Sequence, residues 1–151
     1  MEMIVTLERA SNRLPDGFDE LKADAEADGH RHLTRLAAEF EKTPAMFHAI
    51  FAGYIEGNLA GIGAITDQPA LTSQPVWRMR RLYVHRKCRQ LGVARAIVLA
   101  LLQEVAGSVP TVTVHAGNDS AAQFWEAIGF CRAMGRAWSH ETTTSGATAR
   151  R

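Results

Sequence analysis

The chain is poor in cysteine: Cys88 and Cys131 are the only two in 151 residues, and no Cys-x-x-Cys spacing joins them. That excludes a disulfide framework and a cysteine-built metal knuckle, and leaves two free thiols in a reducing compartment as the expectation. Long apolar runs are missing too; the stretch 97–102 is a fragment of one helix, far short of a membrane span. The opening residues Met1, Glu2 and Met3 include an acid and lack the basic and apolar regions of a secretory signal. The cytoplasm is therefore the expected location, with no membrane partner. Neither sign of charge dominates, since 17 Lys and Arg stand against 16 Asp and Glu for a formal net charge of +1. Nothing in that balance calls for an anionic surface, and without interleaved aromatic and basic residues no nucleic-acid partner is expected. The Walker phosphate loop and the dinucleotide fingerprint are both absent.

What remains is ordinary globular composition, 46% apolar and 22% charged, in a length suited to one core. Residues 3–7 read as a first strand. Pro15, Asp16 and Gly17 mark a turn in which Asp16 is placed to cap a helix, with Phe18, Leu21 and Ala25 at helical spacing. Leu33, Leu36, Ala37 and Phe40 repeat the pattern in a second helix that Pro44 ends. Strands are expected at 46–54 and 59–66 around a Glu56, Gly57, Asn58 turn, then a loop at 67–75 and a strand at 76–84. A basic connection at 86–90 leads to a long helix at 92–106, whose buried face comprises Ala94, Ile97, Val98, Leu101, Leu102 and Val105. A strand at 111–115 and a helix at 120–128 follow, with Gly129 as a left-handed cap and weaker strand signals at 131–134 and 136–142. The order predicts a single α+β domain over 1–142, with a mixed sheet of six or seven strands flanked by four helices, and a disordered tail at 143–151. Pairing of two copies into a homodimer through an edge strand is compatible with that order.

The chemistry gathers between residues 82 and 130. Arg89, Gln90, Leu91, Gly92, Val93 and Ala94 join a strand to a helix start, where unpaired N–H groups and the positive end of the macrodipole attract phosphate. Gly92 permits close approach of an anion, and Arg86, Lys87, Arg89 and Arg95 place positive charge around it. His30 and His32 flank Arg31 without a third partner, so they read as solvated residues and no metal is expected.

Leu82, Tyr83 and Val84, the loop Arg89-x-x-Gly92-x-Ala94, and the run Asn118-x-x-Ala121-x-x-Phe124-Trp125-x-x-x-Gly129-Phe130 together resemble the GNAT superfamily of N-acetyltransferases. The resemblance covers about a third of the chain in its strong motifs. It implies a GNAT-like fold with splayed central strands and acetyl-CoA as co-substrate. Backbone N–H groups at Gln90, Leu91, Gly92, Val93, Ala94 and Arg95 would cradle the pyrophosphate, and the backbone of Leu82, Tyr83 and Val84 would pair with the pantetheine arm. Asn118 would hydrogen-bond the cofactor, with Phe124 and Trp125 packing beside it. A main-chain N–H near Val84 would polarise the thioester carbonyl, and a small-molecule amine would attack it directly.

Two departures from the family pattern stand out. Trp125 occupies the place of a tyrosine often used as general acid, and an indole N–H is no proton source. No carboxylate lies in 76–84, where Arg78, Arg80 and Arg81 stand instead. Tyr83 is a replacement acid by residue type, and His48 and His115 are replacement bases. If Arg78 or Arg80 faces the slot, an acceptor with a carboxylate or phosphate is favoured; otherwise the arginines cover an exposed sheet surface. Trp77 and Met79 either line the acceptor pocket or pack under the early helices. A peptide or protein amine is the alternative acceptor, and a non-catalytic acyl-CoA-binding regulator is the rival class.

Overall fold

Alternating small and branched residues in 47–67 meet at Glu56 and Gly57, and in the computed structural model, which describes residues 4–68 and 74–144, they form the hairpin at the centre of the fold. Its strands are β2 (Phe47–Ile55) and β3 (Asn58–Asp67). Before it come β1 (Val5–Arg9), α1 (Phe18–Ala27) and α2 (His32–Lys42). After it come β4 (Val76–Val84), α3 (Val93–Val105), β5 (Thr111–Val114), α4 (Asp119–Ile128), β6 (Cys131–Arg132) and β7 (His140–Thr143). The seven strands lie in the order β1-β2-β3-β4-β5-β7-β6. Every neighbour pair is antiparallel except β4 with β5, whose strands run parallel and are bridged by the α3 crossover.

Helices cover both faces. Ile97, Leu101, Trp125 and Phe130, from α3, α4 and the residue after Gly129, bury Ile65, Met79, Val112 and Val114 on one face. Phe18, Leu21, Leu33 and Leu36 from α1 and α2 bury Ile62, Ala64 and Tyr83 on the other. The helix α3 sits close to the sheet because Gly53, Gly61 and Gly63 leave a groove for it. A Cβ on Gly63 would lie 3.0 Å from Ile97 and 3.1 Å from Leu82.

Opposite Gly63, β4 carries one extra residue. The register with β3 slips between Ile62 and Ala64, and Arg81 takes a φ of +62°. The bulge lets Arg81 point toward α2 beside Arg80, while Leu82 returns to the α3 face.

Several expectations need correction. Asp16 does not cap α1; Gly17, at φ +88°, is the N-cap, and no side chain closes that end. Thr143 and Thr144, the first two residues of the expected disordered tail, are ordered: Thr143 belongs to β7, and Thr144 is buried, with its N–H donating to the Pro110 carbonyl. Residues 145–151, the rest of the expected tail, and 69–73 of the expected 67–75 loop lie outside the described residues, while Asp67 ends β3. Trp77 and Met79 do not pack under the early helices. Met79 is buried on the α3 face, and Trp77 packs against that same core. The seven strands and four helices otherwise match the expected GNAT-like α+β arrangement.

Candidate acyl-CoA site

Between β4 and α3 the chain turns twice through left-handed backbone. Gln90 has φ +66° and Gly92 φ +87°, and this pairing concentrates N–H groups on one concave side. No side chain caps α3, and its first turn carries no acid but does carry Arg95. The first-turn N–H groups are thus left for an anion. A Cβ at Gly92 would meet nothing within 4 Å, so the space before the helix end is open and the positive φ alone demands glycine.

A cavity of about 400 Å³ lies in front of this turn. Val84, Arg89, Gln90, Gly92, Val93, Ala94 and Arg95 line it on one side, and Phe124 of α4 closes it on the other. Eight of the expected cofactor-binding residues therefore meet in one place. Leu82, Tyr83, Leu91, Asn118 and Trp125 are not among its lining residues. Three lining residues escaped the sequence reading: Cys88, Ala127 and Ile128. The last two follow Phe124 at i+3 and i+4, so helical spacing could have found them. Cys88 is half-buried in the cavity wall and Cys131 is exposed on β6.

The strand edge beside the cavity is what makes it more than a phosphate site. Parallel pairing of β4 with β5 covers Val76 with Thr111, Trp77 with Val112 and Arg78 with Thr113, and stops there. From Met79 to the end of β4 no pairing with β5 follows, while β4 stays paired to β3 as far as Val84. Backbone groups on the β5 side of β4 are thereby left for an extended ligand, as at a sheet edge. An apolar wall, a nest of N–H groups and an open strand edge are the three surfaces that the apolar, diphosphate and amide parts of coenzyme A require, so the residues present fit it.

Three of the remaining expected residues have side-chain partners of their own. Asn118 caps α4, its Oδ1 accepting from the Ala121 N–H at 2.8 Å. Trp125 is buried, edge-on to both Phe124 and Phe130. Tyr83 projects to the α1 face, and its hydroxyl donates to Asp24 Oδ2 at 2.6 Å. Burial and that carboxylate raise the phenol well above its ordinary pKa, so Tyr83 does not replace the missing acid at the slot. His48 lies 2.7 Å from Asp67 and stacks on Trp77 at 3.6 Å. These residues sit where β2 and β4 begin, at the sheet end opposite the splay, which removes His48 as a base. His115 is exposed, directly after β5, at the end where the strands part.

The basic residues of the loop are anchored from α1. Asp24 accepts from the Arg86 N–H at 3.1 Å and from its Nε at 3.0 Å. Its side chain is 8% exposed. Burial by itself would raise its pKa, but donation from Tyr83 and Arg86, with His85 nearby, prevails and holds it down at about 2. One turn later Asp28 receives Arg89 at 2.8 Å, and Arg89 Nε also donates to the Val84 carbonyl at 3.2 Å. Arg89 therefore shapes the loop from behind. Among the described residues, Arg95 of the cavity lining has no carboxylate partner.

The model of the GNAT acetyltransferase family matches residues 12–130. Among curated proteins none matches the chain in sequence. A protein of Exiguobacterium sp. 255-15 assigned as an acetyltransferase is 21% identical, with a TM-score of 0.81 over 99% of this chain and 100% of its own. The toxin AtaT in complex with acetyl-methionyl-tRNAfMet is 14% identical, with a TM-score of 0.72 over 96% of this chain and 98% of its own. AtaTR bound with acetyl-CoA is 16% identical, with the same TM-score of 0.72 over 94% of this chain and 95% of its own. No helix among the described residues is long and apolar enough to cross a membrane.

Proposed function

We propose, from the premise that this chain belongs to the GNAT family of acetyltransferases, that it moves the acetyl group of acetyl-CoA to the primary amine of a small molecule. The observation that carries this reading is the parting of β4 and β5 after Arg78 and Thr113, beside the uncapped N-terminus of α3. The pyrophosphate rests on the N–H groups of 90–95, and the pantetheine amides pair along the free edge of 82–84. Phe124, Ala127 and Ile128 support the ligand's apolar side.

The thioester enters the slot between the strands, where a main-chain N–H near Val84 polarises its carbonyl. The amine nitrogen attacks that carbon, the C–N bond forms, the C–S bond breaks, and coenzyme A leaves as thiolate. No enzyme-bound acyl group is needed, since Cys88 stands in the wall of the phosphate cavity rather than in the slot. The thiolate takes its proton from solvent, because Trp125 is buried and Tyr83 is committed to Asp24 on the other face. His115 is the base that best fits the position of the slot.

A second reading has a specific support: AtaT, which shares the fold, is seen with acetyl-methionyl-tRNAfMet. In that reading the acceptor is the amine of an aminoacyl-tRNA. The deciding experiment has two arms. Thermal unfolding with saturating acetyl-CoA should show stabilisation of about 2.7 kcal/mol at a hundred times Kd, a rise of several degrees, and Gly92→Glu should abolish it. A folded protein that shows no shift at millimolar acetyl-CoA is not a transferase of this kind. Coenzyme A release should then be measured with small primary amines and, separately, with aminoacyl-tRNA; turnover only with the latter replaces the first reading by the second.

A further inference from the structure

The α2 face of β4 holds more positive charge than its surroundings balance. Arg78 and Arg80 point there by strand alternation, and the bulge brings Arg81 to the same side. Arg35 approaches from α2, close enough to act on Arg80 through its charge. Glu39 of α2 is the one carboxylate among the described residues that meets this group. It receives Arg81 through Nε at 3.1 Å and Nη2 at 2.6 Å, and Arg80 Nη2 lies 3.7 Å from it.

That leaves donors over. Arg80 Nε is buried with no hydrogen-bond partner among the described residues. Arg78, half-buried, has no ion pair among them, and the sequence contains no Asp or Glu anywhere in 68–84. Burial lowers the pKa of both arginines, and the neighbouring charge of Arg81 lowers it further. Guanidinium groups held out of water with unmatched donors are costly, and an oxyanion with forked geometry removes the cost. The expectation that these arginines cover an exposed sheet surface does not hold, because Arg80 and Arg81 side chains are only 19% and 10% exposed.

Position gives the cluster its meaning. Arg78 is the last β4 residue paired with β5, opposite the fully buried Thr113, whose hydroxyl accepts from Gln68 at 2.6 Å. The slot opens immediately beyond. The cofactor cavity lies on the α3 and α4 side, and the arginines lie on the other, so a thioester in the slot has the cradle behind it and the arginines in front.

We infer that Arg78 and Arg80 form the acceptor subsite, and that the acceptor amine carries a carboxylate or phosphate near its nucleophilic nitrogen. This rests on the transferase reading above and adds the substrate class to it. Glu39 and Arg81 position the pair, and Arg80 offers the donors that the anion takes.

The test uses the protein saturated with acetyl-CoA, so that the phosphate cradle is already filled. Inorganic phosphate and acetate, titrated separately, distinguish the two oxyanions. At least one should bind, and Arg80→Met and Arg78→Met should each weaken it by about tenfold. The acetyl-CoA thermal shift should be retained, which shows the variants folded and the cradle intact. Matched acceptors should agree: phenylalanine over phenethylamine, or O-phosphoethanolamine over ethanolamine, by at least about tenfold in kcat/KM. That preference should be lost in Arg80→Met through KM. Failure of both anions to bind the acetyl-CoA complex, or binding unaffected by either variant, overturns the inference and leaves the transferase reading standing. Binding of transfer RNA without either small oxyanion overturns it in favour of a nucleic-acid acceptor. A folded protein that does not bind acetyl-CoA removes the transferase reading and this inference with it.

Discussion

At the scale of single residues, Gly92 and Asp24 do opposite kinds of work in the same loop. Gly92 supplies a backbone conformation, φ +87°, in otherwise open space. Gly92→Ala should therefore cost about 1 kcal/mol of stability through strain alone, read from urea unfolding, while weakening acetyl-CoA through the displaced N–H groups. Asp24 supplies charge. Its folded pKa of about 2 lies below the ordinary carboxylate value, so its contribution is full above about pH 4 and is lost as the pH falls toward 2. That contribution amounts to about 2 kcal/mol. A pH series of unfolding free energies should show this acid-side fall in the wild type and a shallower one in Asp24→Asn. The glycine was legible in the sequence because its role is local. The carboxylate was not, since its partners Tyr83 and Arg86 lie about sixty positions away and only the fold brings them together. The same blindness led Tyr83 to be considered for the slot, although the extra residue at Arg81 turns it to α1.

At the scale of the element, β4 explains most of what sequence reading missed. Its limits and its strand character followed from composition, but the bulge at Arg81 did not, because nothing in Arg80, Arg81, Leu82 signals an extra residue. With the bulge unseen, alternation places Arg81 on the α3 face, where a charge would be buried without a partner. The structure instead gives Arg81 two hydrogen bonds to Glu39. Glu39→Ala should destabilise the fold by about 3 kcal/mol, since it strands a guanidinium whose side chain is 10% exposed. Chemical denaturation measures this, and Glu39→Ala with Arg81→Met should be less harmful than the single change. On the opposite strand, Gly63→Ala must push Ile97 or Leu82 aside, and the expected loss is about 1–3 kcal/mol. The α3 and α4 segments were easier to read, because the apolar stripe of α3 and the glycine that closes α4 are local signals.

At the scale of the whole molecule, the sheet divides where its pairing changes. One part comprises β1 to β4, laddered antiparallel throughout; the other comprises β5, β7 and β6, also antiparallel. The second part has its own ties: His140, 1% exposed, lies 2.8 Å from both Ser139 Oγ and Glu126 Oε2, linking β7 to α4. His140→Ala should cost about 2–4 kcal/mol through lost packing and a broken network, measured by thermal or urea unfolding. The overall order was readable from the chain, since hairpins and a helical crossover leave few alternatives. The division was anticipated only through the family resemblance, which implied splayed central strands; taken alone, a strand run such as 76–84 looks the same whether its far edge is paired or bare.

That division has a mechanical consequence. Among the described residues, three register pairs, from Val76 with Thr111 to Arg78 with Thr113, make the backbone ladder between the two parts, so the seam resembles a zipper fastened at one end. A ligand laid along the unfastened length, touching β4 on one side and α4 on the other, acts as a brace. Amide protons of Val112, Thr113 and Val114 should then exchange with deuterium through partial openings of the smaller part when the seam is bare, and acetyl-CoA should slow them more than the amides of β2 and β3. Equal slowing in both parts would mean that the seam does not open separately and that the sheet responds as one body.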